Sequence, residues 1–210
     1  MSRFSRSAQP IAILISGAGS NMVALADAAA QRDWARRYGA EVVGVVSNRP
    51  DAAGLAHAQD RGLHTAVLDH KTYPSREAYD QALIELLDGL YPGGPAWVLL
   101  AGFMRILTPG FVAHYEGRLV NIHPSLLPAF PGLKTHERAI VTGCRFAGAT
   151  VHRVTAELDH GAFLEQAVVP VLPVDTAATL AARVLTQEHR IYPLAVERLL
   201  AQTAGSTAET

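Results

Sequence analysis

Four short apolar runs set the architecture. Residues 11–16 (IAILIS), 41–47 (EVVGVVS), 96–102 (AWVLLAG) and 118–122 (RLVNI) are dominated by Ile, Val, Leu and Ala, without polar alternation. A strand apolar on both faces is buried on both faces, as in a parallel sheet covered by helices. The segments between them read as helices. One covers residues 21–31 and another residues 52–62, closed by Gly62. A third is N-capped by Ser75, with Glu77 in its first turn. In that third helix Tyr79, Leu83, Leu86, Leu87 and Leu90 fall on a single face. Residues 64–69 (HTAVLD) form a further strand. This alternation predicts an α/β fold, a mostly parallel, doubly wound, Rossmann-like sheet with helices on both faces.

The pattern changes after Gly132. Residues 149–154 and 164–171 read as strands in hairpin order, which predicts antiparallel strands in the C-terminal part. A last helix spans roughly residues 176–200. The expectation is one domain over residues 1–210, with an ordered core from about 10 to 201. Its N-terminal half and its C-terminal part are expected to carry different parts of one site. The ends, residues 1–9 and 202–210, are expected to be mobile.

Composition narrows the function. Of 210 residues, 49% are hydrophobic, enough for a large core, and the net charge is -1. A nucleic-acid or membrane-surface protein would show basic clustering instead. The single cysteine, Cys144, makes no intrachain disulfide and excludes multi-cysteine zinc patterns. No stretch approaches the roughly 18 apolar residues of a membrane span. The run at 11–15 is too short for a signal-peptide core. A soluble cytoplasmic protein is expected.

Residues 17–21 (GAGSN) join a strand to a helix. Backbone N–H groups at a helix N-terminus suit an anion such as phosphate. The dinucleotide pattern G-x-G-x-x-G is incomplete, because Met22 stands at the third glycine, and the second strand ends in SNRP without an acid for a ribose. Arg49 leaves a 2′-phosphate, and so NADP, open. Phosphate is favoured over a dinucleotide, while the motif alone serves equally well as a structural turn.

The stretch 119–132 (LVNIHPSLLPAFPG) places Asn121 and His123 two apart, hence on one face of a strand, at its carboxyl end. Ligands bind at that edge in open α/β sheets. An amide donor beside an imidazole brackets a developing oxyanion. Pro124, Pro128 and Pro131 restrict the backbone beyond. The alternative is that His123 caps buried backbone and Asn121 starts a turn; the pairing favours function. His136 and Glu137 open HERAI, a near miss to the zinc motif H-E-x-x-H that fails at Ile140. His152 reads as core or as support for the site. His57, His64 and His114 read as solvated or packing residues, and Arg105 as a loop contact. On the last helix Leu180, Val184, Gln187 and Ile191 form a stripe that Gln187 interrupts, with Glu188 at its edge.

Taken in order, ISGAGSN, LAGFMRIL, NIHPSLLPAFPGL, TVHRVTAELDHG and TQEHRIYP closely resemble the phosphoribosylglycinamide formyltransferases of de novo purine synthesis, over roughly residues 10–200. The HPSLLP segment marks the wider formyltransferase superfamily. The resemblance implies direct attack of the amino group of glycinamide ribonucleotide on the formyl carbon of 10-formyltetrahydrofolate. It implies neither a metal nor a covalent enzyme intermediate. By match to the motifs, Asn121, His123 and Asp159 are catalytic. Gly19, Ser20 and Asn21 bind the substrate phosphate, and Gln187 and Glu188 lie at the ribonucleotide. Arg76, Met104, Arg105, Ile106 and Leu107 contact folate, together with Asn121 and the loop Thr155, Ala156, Glu157, Leu158 and Asp159. A bacterial, cytoplasmic monomer or weak homodimer is implied, acting on small molecules and not on nucleic acid or membrane.

Two positions depart from the pattern. Lys134 stands where many bacterial members have His, and Ala156 where an acidic residue is common. Three enzymatic alternatives remain. A methionyl-tRNA formyltransferase would carry a further C-terminal domain and a basic surface. A formyltetrahydrofolate hydrolase would carry an N-terminal regulatory domain, for which a first strand at Ile11 leaves no room. An NADP oxidoreductase would leave Asn121, His123 and Asp159 unexplained. A non-catalytic folate- or nucleotide-binding module is disfavoured by the presence of all three.

Overall fold

A computed structural model describes residues 8–206. Five strands run parallel: β1 (Gln9–Ile15), β2 (Ala40–Ser47), β3 (Thr65–Val67), β4 (Trp97–Leu100) and β5 (Leu119–His123). β6 (Phe146–Arg153) and β7 (Phe163–Pro170) continue the sheet antiparallel. The strand order is β3-β2-β1-β4-β5-β6-β7. The predicted mixed sheet is therefore present.

The uninterrupted apolar runs have the expected cause. Ile11, Ile13 and Ile15 enter one core and Ala12 and Leu14 the other, on opposite faces of β1. The first core is closed by α1 (Ser20–Gln31), α3 (Gly54–Gln59) and α7 (Ala177–Ser206), through residues such as Met22, Leu25, Leu55, Leu180 and Val184. The second is closed by α4 (Arg76–Asp88) and α5 (Pro109–His114), through Tyr79, Leu83, Leu87 and Phe111. Ser75 caps α4 as its sequence position predicts, its hydroxyl accepting from the Ala78 N–H. Buried Tyr192 of α7 sets its hydroxyl 3.2 Å from the Leu100 carbonyl and 3.0 Å from that of Val120, fixing this helix across β4 and β5.

Short elements escape the sequence patterns. α2 (Trp34–Tyr38) and α6 (Thr135–Val141) are too short to show a helical period, and residues 70–72 form a single 3-10 turn. α5 is announced only by its ends: the Thr108 hydroxyl accepts from the Phe111 N–H, and Pro109 occupies the first turn. The expectation of mobile ends is partly corrected. Gln9 is buried in β1, where its amide donates to the Tyr38 and Leu200 carbonyls, and α7 continues through residues 202–206. Residues 1–7 and 207–210 lie outside the described residues. Among the described residues no helix is long and apolar enough to cross a membrane.

Candidate active site at the sheet edge

The loop after β1 is held tightly. Gly19 adopts φ +74°, a region that favours glycine, and a Cβ there would stand 2.7 Å from Gly54 Cα. The Gly54 N–H donates to the Gly17 carbonyl at 3.0 Å, locking the start of α3 against the loop. No side chain caps α1 and its first turn carries no acid, so the N–H donors at its positive dipole end have no side-chain cap. That arrangement accepts an anion. Ser16 connects the neighbouring segments: its hydroxyl donates to Asn48 Oδ1 at 2.6 Å and accepts from the Met104 N–H at 2.8 Å.

These segments enclose a cleft of about 510 Å³ lined by residues 16–21, Asn48, Arg49, His70, Ala101, Gly102, Met104 and Arg105. Arg49, which also lines the cleft, pairs with Asp51 through two exposed contacts at 3.0 and 2.6 Å. Asn21 and Glu188 meet beside the loop, Asn21 Nδ2 donating to Glu188 Oε2 at 2.6 Å. Both are more than nine-tenths buried, and Asn21 Oδ1 has no partner. Burial pushes the Glu188 carboxyl above its ordinary 4.5, and the Asn21 hydrogen bond partly opposes this. Glu188 therefore stands within the buried stripe of α7, with Leu180, Val184 and Tyr192, and not at its edge as the spacing suggested. Gln187 is only half-buried and does not line the cleft.

A prediction arises here. Glu188 binds its proton more tightly folded than unfolded, so its protonated form favours the fold and its ionisation destabilises it as pH rises. The contribution is fully present below about 4.5 and is lost as pH climbs through the higher folded value. Glu188→Gln keeps an oxygen for Asn21 and never ionises. Its urea midpoint relative to the wild type is expected to be higher at neutral pH than at acid pH. A constant offset between the two conditions would contradict the burial effect.

Asn121 and His123 share one face of β5, as their spacing predicts, while Val120 and Ile122 enter the opposite core. Leu100 is in register with Asn121, so the 101–105 wall of the cleft begins beside it. His123 is 7% exposed. Its Nε2 lies 3.0 Å from the Phe130 carbonyl, which can only accept, so Nε2 donates. Its Nδ1 faces Asp159 Oδ2 at 3.5 Å. His123 thus does cap a backbone carbonyl, a partly buried one, and it does so while facing a carboxylate.

Asp159 reaches this place from the β6–β7 loop, at φ +57° and 9% exposure. The Gly132 N–H donates to its Oδ2 at 2.9 Å. His152 lies beside the three, with Nε2 3.2 Å from Asn121 Nδ2 and 3.7 Å from Asp159 Oδ1.

The proline-rich segment is fastened from both sides. The Leu127 N–H donates to Thr150 Oγ1, that hydroxyl donates to the Ser125 carbonyl, and Gln166 donates to the Leu127 carbonyl. The Leu127–Pro128 bond is cis. Buried Thr150 of β6, unnoticed in the sequence, is the centre of this fastening.

Segment 104–108 is pinned at three points. Arg76 Nη2 donates to the Ile106 carbonyl at 3.0 Å, Asp80 accepts from the Thr108 N–H at 2.6 Å, and Ser16 holds Met104. The Arg105 guanidinium lies 4.9 Å from the centre of the Tyr79 ring. Met104, Ile106 and Leu158 expose apolar side chains, and Leu107 packs into the second core. Thr155, Ala156, Glu157 and Leu158 are exposed, in contrast to Asp159. Lys134 is exposed too and pairs with Glu137 at 3.3 Å. Asn48, His70 and Asp80 were not assigned to the site from sequence, and His152 was left between core and support. A polar residue at a strand's carboxyl end, as in SNRP, was the available signal for Asn48.

The geometry has counterparts. A formyl transferase family model matches residues 9–196. Phosphoribosylglycinamide formyltransferase of Escherichia coli (strain K12) is 50% identical over 89% of this chain and 84% of its own. The trifunctional purine biosynthetic protein adenosine-3 of Drosophila melanogaster is 45% identical over 92% of this chain, which matches 14% of that longer protein. Among solved structures, phosphoribosylglycinamide formyltransferase from Brucella melitensis superimposes with a TM-score of 0.84 at 50% identity, covering 93% of this chain and 97% of that one. Glycinamide ribonucleotide transformylase 1 from Symbiobacterium toebii gives 0.87 at 42% identity, covering 96% and 92%. On sequence and fold together, the chain belongs to the formyl transferase family.

Proposed function

We propose that this protein transfers the formyl group of 10-formyltetrahydrofolate to the amino group of N1-(5-phospho-β-D-ribosyl)glycinamide, a step of purine biosynthesis. The observation that carries the reading is the gathering of Asn121 and His123 of β5 with Asp159 of the β6–β7 loop, beside a cleft that ends at an uncapped helix N-terminus.

In this reading the phosphate rests on the N–H groups of Gly19, Ser20 and Asn21. Glu188 and unpartnered Asn21 Oδ1 accept hydrogen bonds from the ribonucleotide, with Gln187 at the margin. Met104, Arg105, Ile106 and Leu107 hold folate, and Arg76 acts by pinning the Ile106 carbonyl. The loop Thr155, Ala156, Glu157, Leu158 and Asp159 covers it, Leu158 adding apolar surface.

The amine lone pair attacks the formyl carbon, the new C–N bond forms, and the carbonyl π pair moves onto oxygen. Asn121 Nδ2 donates to that oxyanion, and His123 adds a second donor by turning its Nε2–H from the Phe130 carbonyl to it. The oxyanion then re-forms the carbonyl and the bond to folate N10 breaks. The proton lost by the attacking amine is delivered to N10, and Asp159 balances the charge on His123 during the transfer. Tetrahydrofolate and the formylated ribonucleotide leave. The protein is read as cytoplasmic, a monomer or weak homodimer that engages no nucleic acid.

The test is tetrahydrofolate release with and without the ribonucleotide. Release only with it is expected. Release without it would indicate a hydrolase, and none in either case would remove the reading. Gly19→Asp is expected to weaken ribonucleotide binding far more than folate binding, because a carboxylate repels phosphate and its Cβ collides with Gly54. Calorimetry of both ligands checks this, and a loss confined to folate would contradict the phosphate assignment.

A further inference from the structure

His152 takes no part in the steps above, yet it is the most deeply buried histidine of the cluster, at 2% exposure. It stands on β6 in direct register with Asn121 of β5. Its Nδ1 lies 3.0 Å from the Arg153 carbonyl oxygen. A carbonyl only accepts, so Nδ1 must carry a proton. In the neutral ring Nε2 then bears a lone pair, and the group 3.2 Å away is the Asn121 amide nitrogen. The two assignments support each other: a carboxamide turned the other way would set Oδ1 against that lone pair.

We propose that His152 is a positioning residue, whose neutral, Nδ1-protonated ring fixes the Asn121 carboxamide so that Nδ2 keeps its second N–H for the developing oxyanion. The proposal rests on the role given to Asn121 above. It deepens that role by explaining how a half-buried amide with two possible orientations is held in one.

The surroundings favour the required protonation state. Burial pushes the His152 pKa below its ordinary 6.5, and His123 pushes the same way. The Arg153 carbonyl and Asp159, whose Oδ1 is 3.7 Å from Nε2, act in the opposite direction. Protonation of Nε2 would set an N–H against the Asn121 amide hydrogens, and the amide would turn to present Oδ1 instead. Acid thus removes the oxyanion donor without touching Asn121 itself.

Three measurements test this. In histidine-labelled wild-type protein at neutral pH, 15N NMR is expected to show His152 as the neutral Nδ1–H tautomer. An Nε2–H tautomer or an imidazolium would overturn the proposal whatever the variants do. His152→Leu, which has no acceptor, is expected to lose about 10²-fold in kcat, the scale of a group misplaced by ~1 Å, with both KM values nearly unchanged. His152→Gln, whose Oε1 accepts from Asn121, is expected to recover most of that loss and to lack the acid-side fall in kcat due to His152. A folded His152→Leu protein with wild-type kcat, or equal losses in the two variants, would reject the positioning role. If His152→Leu does not fold, the tautomer and the His152→Gln pH profile decide. A wild-type protein that transfers no formyl group would instead refute the proposed function, and the tautomer measurement separates that outcome from failure of this one.

Discussion

Asn121→Ala is expected to lower kcat by about 10²–10³-fold, the usual cost of removing one oxyanion donor, while both KM values change by no more than a few-fold. The reason lies in when the contact forms. The formyl oxygen carries little charge in the bound substrate and nearly a full charge in the tetrahedral intermediate, so a donor aimed at it acts mainly on the transition state. Truncation is compatible with folding, because Asn121 is half-buried at the sheet edge and its strand register is made by backbone groups. Steady-state kinetics with each substrate varied in turn checks the expectation. An intact kcat with a raised KM for folate would make Asn121 a ground-state binding residue.

Asp159→Asn is the second large effect. The carboxylate lies 3.5 Å from His123 Nδ1 in a place from which water is largely excluded, so its charge is poorly screened. A neutral amide removes that charge but keeps an oxygen for the Gly132 N–H, so the loop is retained. Proton transfer by a positioned side chain contributes roughly 10²–10⁴-fold, and a loss of kcat within that range is expected with substrate affinities nearly unchanged. If Asp159 only shaped the loop, the variant would keep kcat, since Asn accepts the same backbone hydrogen bond and tolerates the left-handed φ of +57° found there. Comparison of kcat with calorimetric affinities separates the two roles.

The readability of this fold in the sequence follows from particular elements. β1, β4 and the second half of β2 are buried on both faces, and such burial leaves a short apolar run bounded by turn residues. β6 was legible for the same reason, being buried at nearly every position, and β7 through alternate buried positions at Ala167 and Val169. α2, α5 and α6 were not, because a helix of five to seven residues turns too few times to establish a period; the equally short α3 was read from its place between two strands and its closing Gly62.

The site divides in the same way. Asn121 and His123 were legible from strand alternation alone, since a period of two puts them on one face. Asp159 was not: its place depends on a loop folding back onto the sheet, which no local pattern encodes, and only the family resemblance pointed to it. His152 was visible as a polar residue in an apolar strand, but its partner is on a neighbouring strand and its meaning needed the β5–β6 register. Glu188 was misplaced by one side of a helix, because Gln187, the more conspicuous break in the stripe, drew the apolar face around by about one residue. The buried position of Glu188 appears only once α7 is laid against α1, where Asn21 receives its carboxylate.

Two readings made from residue types also gain a physical cause. Arg49 left NADP open in the sequence, and the structure shows its guanidinium in an exposed two-point pair with Asp51. The prolines after His123 suggested a segment held still. The hydrogen bonds of Thr150 and Gln166 are what hold it, with the prolines limiting the alternatives.

The most direct test of the account follows the formyl carbon itself. 10-Formyltetrahydrofolate labelled with 13C in the formyl group is incubated with the wild type, with Asn121→Ala and with Asp159→Asn, each with glycinamide ribonucleotide present, and products are identified by mass spectrometry. The account predicts one labelled formyl group on the ribonucleotide for each tetrahydrofolate released by the wild type, with the same product formed at least about 10²-fold more slowly by either variant. Label recovered as free formate, or transfer by both variants at the wild-type rate, would contradict it.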